Sequence, residues 1–240
     1  VISILLPTRN RPANVTRLIE SARKTAAGRF EFIICVDNDD PTRNQVLDQV
    51  TDDVRVVVTA RQTLSKYWNE CADHAKFDVL MQCGDDIIFQ TDAWDIAVLR
   101  AFDDIPDKIA LVHGDDGIQN GNIATHGFLH RRWMDTVGYF VPPYFASDYN
   151  DLWLTEVANA LNRRVYLPNV YTEHMHPVIG KGPLDQTHQE RLNRHVQENC
   201  DQVWRETEHL RRADVEKLRA VMGMIGDATL EYSHSNDRSA

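Results

Sequence analysis

Several devices are missing from this chain, and each absence removes a class of function. Its four cysteines (Cys35, Cys71, Cys83, Cys200) form no CxxC, which sets aside a zinc knuckle and a disulfide framework and fits a reduced, cytoplasmic setting. No apolar run approaches the ~20 residues that span a bilayer, and no basic stretch precedes a hydrophobic one at the start. Positive charge is scarce. With 26 Lys and Arg against 36 Asp and Glu, the formal net charge is −10, which argues against broad binding to nucleic acid, a mode that needs clustered cations to displace counterions. Local basic patches such as Arg131-Arg132 could still serve a phosphate. There is no GxGxxG after the first strand, no GxxxxGK[ST] and no GxSxG, so a dinucleotide fold, a P-loop and a serine-hydrolase elbow all lack their main device.

What is present is a rhythm. Apolar, strand-sized runs at 1–7, 30–36, 54–59 and 79–89 alternate with helix-like stretches, one after Pro12 and others near 42–50 and 64–75. Val15, Leu18, Ile19 and Ala22 share one helical face, and Pro12 suits the first turn. Strand, turn and helix in repetition predict an α/β fold with a mostly parallel central sheet flanked by helices. A helix is expected over 91–102 and a strand over 109–113, followed by a Gly-, Asp- and Asn-rich loop from Gly114 to Gly127. Further on come a helix at 148–162, a strand at 165–167 and an extended stretch at 171–176. From about 185 to 222 the chain reads as charged helix, with Leu192, Val196, Val203, Leu210, Leu218 and Val221 on one face that packs on the domain or on a second subunit. The expected organisation is a catalytic domain over 1–177, a helical extension over 178–232 and a flexible tail over 233–240.

Acids gather where strands end. The run Val79–Phe89, VLMQCGDDIIF, carries Asp85 and Asp86 just after Gly84. Carboxylates do not stay unpaired in a core, so a strand ending in two of them delivers them to water, a cation or a cationic partner. Asp37, Asp39 and Asp40 follow the second strand, and Asp115 and Asp116 follow the fifth. In a parallel sheet these ends share one edge, where open α/β sheets bind ligands. Turn and helix-cap roles remain open for each cluster. His174 and His176 lie two apart, so on a strand both face one way and could complete a coordination shell begun by carboxylates. A pair of surface histidines is the plainer alternative.

Pro7-Thr8-Arg9-Asn10-Arg11, the strand ending at Asp37, the Asn69–Ala75 helix before VLMQCGDDIIF, the Asp148-Tyr149-Asn150-Asp151-Leu152 segment and the closing stretch from Tyr166-Leu167-Pro168 to His174 resemble family 2 (GT-A fold) glycosyltransferases in order and spacing, over roughly residues 1 to 177. That resemblance implies a metal-dependent transferase moving a sugar from a nucleotide-diphosphate donor, of the UDP type, to a glycan or other acceptor hydroxyl, with inversion. It sets Pro7, Thr8, Arg9 and Arg11 beside the nucleotide and Asp37 on its base, with Asp39 and Asp85 as further nucleotide candidates. It puts the Asp85-Asp86 pair at the Mn²⁺ or Mg²⁺ site with Asp86 the direct ligand and His174 at the metal or diphosphate, His176 joining through its spacing from His174, and Asp148 or its competitor Asp151 as the catalytic base. The sequence departs from the family pattern in having Asp-Asp rather than a spaced DxD, and acids near Asp148 spread over four positions. Aromatics at Trp133, Tyr139, Phe140, Tyr144 and Phe145 are acceptor-wall candidates or ordinary core. Rival readings are a non-catalytic nucleotide-sugar or glycan-binding module, a glycosyltransferase acting on modified nucleic-acid bases, and a nucleotidyltransferase on a similar sheet. A homodimer through the C-terminal helices is a further expectation.

Overall fold

The structure, a computed structural model, describes residues 1–222; the expected tail at 233–240 lies outside the described residues. The chain runs β1 (Ile2–Thr8), α1 (Pro12–Thr25), β2 (Phe30–Asp37), α2 (Arg43–Leu47), β3 (Val54–Thr59), α3 (Leu64–His74), β4 (Val79–Gln82), β5 (Ile87–Phe89) and α4 (Trp94–Asp103). It continues through β6 (Leu111–Asp115), β7 (Phe128–His130), α5 (Arg131–Val137), α6 (Asn150–Ala160), β8 (Arg164–His174), a 3-10 turn (Pro177–Ile179), α7 (Gln186–Gln197), α8 (Cys200–Glu206) and α9 (Glu208–Met222).

The strands form one mostly parallel sheet in the order β3-β2-β1-β4-β7-β6-β8-β5. Only β5 and β7 run against the rest, pairing antiparallel with β8 and with β4 and β6 respectively. Alternation along β1 explains how one strand feeds two cores. Ile2, Ile4 and Leu6 meet Val15, Leu18 and Ile19 of α1 and Trp94, Val98 and Phe102 of α4 on one face. Leu5 points the other way, into a second cluster with Tyr67, Trp68 and Cys71 of α3, Trp153 and Leu154 of α6, and Val215 and Leu218 of α9.

The long apolar run at 79–89, expected as one strand, is two. β4 pairs in parallel with β1 and stops at Gln82, while β5 re-emerges beyond an Asp85-Asp86 turn to pair with β8. Gly84 makes the turn possible, because a Cβ there would lie 2.8 Å from Asp86 Oδ1 and 3.3 Å from His126 Cε1. The segments at 165–167 and 171–176 are one irregular strand, β8, whose register against β6 shifts between Gly114 and Asp115. β7 and α5 carry too few periodic residues to stand out in the sequence. The C-terminal helix breaks into three, with Asn199 left-handed at φ 48° between α7 and α8, a conformation asparagine tolerates better than most residues.

Candidate functional site

β1, β2 and the β4–β5 turn end at the same edge, and their last residues build one wall of a cleft of about 510 Å³. Thr8 Oγ1 donates to Asp85 Oδ2 at 2.7 Å, and Arg11 Nη1 donates to Asp85 Oδ1 at 2.8 Å. Burial dominates Asp85 and pushes its carboxyl up to about 6, against the pull of Arg11 and with the push of Asp86. One residue beyond β1, Arg9 donates to Asp37 at 2.6 Å and to Asp39 at 2.7 Å. Asp37 is buried, also accepts the Tyr67 hydroxyl from α3, and is shifted upward mainly by desolvation. Asp37 and Asp85 thus present acceptors on the cleft floor, with the Arg9 and Arg11 guanidinium groups beside them as donors.

Asp86 is the carboxylate around which imidazoles gather. His174 Nε2 lies 3.5 Å from its Oδ1, and His188 Nε2 lies 3.8 Å from its Oδ2. Burial would raise Asp86, yet the adjoining imidazoles of His174 and His188 hold it well below the usual carboxylate range. His174, in turn, is lifted to about 9: burial disfavours its charge, but Asp116 and Asp86 together outweigh that. His126 is buried beside them, its ring 4.9 Å from that of His174, with neither nitrogen partnered. Desolvation first, and the charge of His174 second, push His126 down to about 4, so it is a neutral donor with a free lone pair.

A divalent cation, as the resemblance implies, fits this donor chemistry. The set is one low-lying carboxylate plus imidazoles, including the orphaned His126, a mixture better suited to Mn²⁺ than to the all-oxygen preference of Mg²⁺. The donors surround a carboxylate rather than a point, however, and among the described residues no three His, Cys, Asp or Glu side chains already form a finished cation site. His176 lines the same cleft, but its Nδ1 accepts the Val178 N–H at 3.2 Å and caps the 3-10 turn.

The opposite wall comes from the loop before α6. Asp148 and Asp151 both face the cleft, in different circumstances. Asp148 is clamped by α7, paired with Arg191 and with His195 Nδ1 at 2.7 Å. Asp151, in the first turn of α6, accepts the Leu152 N–H at 2.8 Å and pairs with no cation among the described residues. Desolvation, with Asp148 adding repulsion, pushes Asp151 up to about 6.

The cleft therefore gathers all of the expected nucleotide, metal and base candidates except Asp39, which sits exposed at the rim holding Arg9. Asp115 also stays outside, accepting from Gly117 N and Tyr166 Oη. Two groups of residues left open by the sequence are placed. Of the two readings for the aromatics, Trp133, Phe140 and Phe145 take the core one, being fully buried, and Tyr139 donates to buried Asp214. Arg131 donates to the carbonyls of Ala75 and Phe77 at 2.9 and 3.2 Å, a structural tie outside the cleft lining. Sequence reasoning missed Arg61, Tyr67, His126, His188, Glu190, Arg191 and Arg194, which all line the cleft. Only their shared location marks them.

An α/β sheet with its acids gathered on one edge defines a ligand-binding α/β domain, and sequence comparison supplies the family. The profile of Glycosyl transferase family 2 matches residues 3–173, so the chain belongs to that family and is a glycosyltransferase using a nucleotide-sugar donor. No match is found among curated proteins. Solved structures share the fold. A mannosyltransferase from Pyrobaculum calidifontis, PcManGT, in complex with GDP-Man and Mn²⁺, superposes with a TM-score of 0.61 at 11% identity over 98% of this chain and 79% of that one. S. aureus TarS 1–349 in complex with UDP-GlcNAc gives 0.56 at 16% identity, covering 95% and 92% respectively. Another structure of S. aureus TarS gives 0.57 at 15% identity over 81% of this chain and 43% of that one. No described helix is long and apolar enough to cross a membrane.

Proposed function

We propose that this glycosyltransferase is a metal-dependent, inverting enzyme that takes a sugar from a UDP-type donor and places it on an acceptor hydroxyl. The observation that carries the reading is that Asp37, Asp86 and Asp151 all line one cleft. Charge adds to it. Five arginines face seven carboxylates along the walls, and even a protonated His174 leaves an excess of negative charge, so a diphosphate is unwelcome unless a cation accompanies it.

Asp37 would accept an N–H from the nucleobase, in place of one of the donors it holds now. Arg9 and Arg11, already aimed along the β1 edge, would turn toward phosphate oxygens, a geometry for which the guanidinium fork is well suited. Asp86, His174 and neighbouring imidazoles would hold the divalent cation, which when bound supplies Lewis-acid stabilisation to the departing diphosphate. Asp151 would accept the proton of the acceptor hydroxyl as that oxygen attacks the anomeric carbon, since a carboxyl poised near 6 is a better base than one held by an arginine. Asp148, fixed by Arg191 and His195, would position α7 against that wall.

The neighbours carry GDP-Man and UDP-GlcNAc in their descriptions, so a donor panel must include both nucleotides. Thermal shift with UDP- and GDP-sugars, with and without Mn²⁺, is expected to show Mn²⁺-dependent stabilisation by UDP-sugars, because ligands specific to the native state raise its melting temperature. Asp86→Ala should fold and lose that dependence. Equal stabilisation in chelator would remove the cation from the mechanism.

A further inference from the structure

We propose that His188 is a ligand to the divalent cation held at Asp86, so that α7, outside the residues matched by the family profile, supplies part of the metal centre and is fastened across the donor cleft when the cation binds. The inference rests on the metal-dependent reading above and deepens it.

Two imidazoles are built alike around Asp86. His174 has Nδ1 3.3 Å from Asp116 Oδ2 and Nε2 3.5 Å from Asp86 Oδ1. His188 has Nδ1 2.9 Å from Asp185 Oδ1 and Nε2 3.8 Å from Asp86 Oδ2. A carboxylate on one ring nitrogen, fixing which nitrogen is bare and turning it toward the Asp86 carboxylate, is the arrangement that orients metal-ligating histidines. The distances to Asp86 sit at or beyond the limit of a hydrogen bond. They instead approach the separation of neighbouring ligands: with bonds of roughly 2.0–2.2 Å, two donors on one cation stand about 3–3.6 Å apart. Behind them, buried His126 keeps both nitrogens without a partner in the same cleft, a third unused donor.

The His188 Nδ1 also lies 2.6 Å from Arg11 Nη2, and one proton state serves only one of these neighbours. Cation binding at Nε2 selects the state in which Nδ1–H donates to Asp185. Asp185 meanwhile caps α7 through His188 N at 2.9 Å and holds Arg11 with both oxygens, so the ligand, its orienting carboxylate and the start of the helix are one unit.

That unit already lies over the mouth of the cleft. Thr187 Oγ1 donates to the Arg9 carbonyl at 3.0 Å, Glu190 pairs with Arg61, and Arg194 donates to the Gln62 carbonyl at 3.0 Å. Three protein donors, Asp86, His174 and His188, leave the remaining positions of the shell to diphosphate oxygens. Donor entry and helix closure would then be linked through the same ion, since whatever binds the closed arrangement favours it.

The test is Mn²⁺ titration of the full chain followed by electron paramagnetic resonance, with electron spin echo modulation reading imidazole nitrogens on the bound ion. Wild-type protein should bind Mn²⁺ with at least two imidazole nitrogens. His188→Ala should bind at least tenfold more weakly with one nitrogen fewer, and Asp185→Asn, which removes the orienting partner, about tenfold more weakly. His188→Gln, a good helix former, repeats the measurement should the alanine variant lose α7, as circular dichroism would report. Unchanged affinity and nitrogen count in a folded His188 variant overturns the inference while leaving the metal reading intact. Absence of Mn²⁺ binding by wild-type protein overturns both.

Discussion

Asp148 and Asp151 are three positions apart and differ in what they can do. Arg191 and His195 clamp Asp148, whereas Asp151 is desolvated and raised to about 6. Asp151→Asn is therefore expected to lower kcat by ~10²–10⁴-fold with donor affinity little changed, and Asp148→Asn to cost much less. Steady-state kinetics with separate donor-binding measurements checks both, and a normal rate in Asp151→Asn would return the base role to Asp148. Activity should rise with pH through about 6 and then level. Stability runs the opposite way. The folded value lies above the unfolded one, so the contribution of this carboxyl is fully present below about pH 4 and lost as pH rises through about 6. Asp151→Asn should accordingly melt at a higher temperature than wild type near pH 8.

Residue type carried much of this site in the sequence. Asp37, Asp85 and Asp86 were legible because an acid that ends an apolar run must leave the core for a solvated edge or a cationic partner. His126 and His188 were not, since single histidines in a loop and in a charged helix carry no periodic signal, and only tertiary structure sets them beside Asp86. The acceptor-wall aromatics illustrate the reverse. Trp133 and Phe145 could by residue type line a site or fill a core, and the second core cluster uses them as filling.

At the scale of elements, the sequence pattern was reliable where periodicity was long and weak where it was short. The apolar face of α1 is buried as its spacing demands, Val15, Leu18, Ile19 and Ala22 together. β7 spans Phe128–His130, too few residues for alternation to declare itself. In the C-terminal helices, Leu218 is buried and Leu210 and Val221 pack against the second core cluster, whereas Leu192 and Val196 stand exposed on α7. The extension thus divides: α9 completes the domain core, with Arg211 stacked 3.5 Å over Trp204, while α7 serves the cleft. Leu218→Ala should cost about 2–5 kcal/mol of stability, measured by denaturant unfolding; a negligible loss would make α9 an appendage. Asp95 makes a second structural test. It is buried and accepts the N–H groups of Ala27 and Gly28 at 2.9 and 2.7 Å, tying α4 to the turn before β2. Asp95→Ala leaves both donors unsatisfied and should destabilise by at least about 1–3 kcal/mol, again read by unfolding.

Across the whole molecule, the net charge of −10 and the acid-rich cleft point the same way. The acidic balance argues against non-specific nucleic-acid binding, and the structure locates where the excess has a use. Acids converge on one sheet edge because β1, β2 and β4 run parallel in register, Ile2 against Phe30 and against Val79, so their ends arrive together. That convergence was readable from the order of strands and helices. The presence of α7 at the cleft was not, because it follows the residues matched by the family profile and meets the Asp85-Asp86 turn only in space. Calorimetric titration of UDP into the full chain, with and without Mn²⁺, tests the central claim most directly. Binding that requires the cation in wild-type protein and is lost in Asp86→Ala is the predicted result; tight binding in excess chelator, unchanged by that substitution, would contradict it.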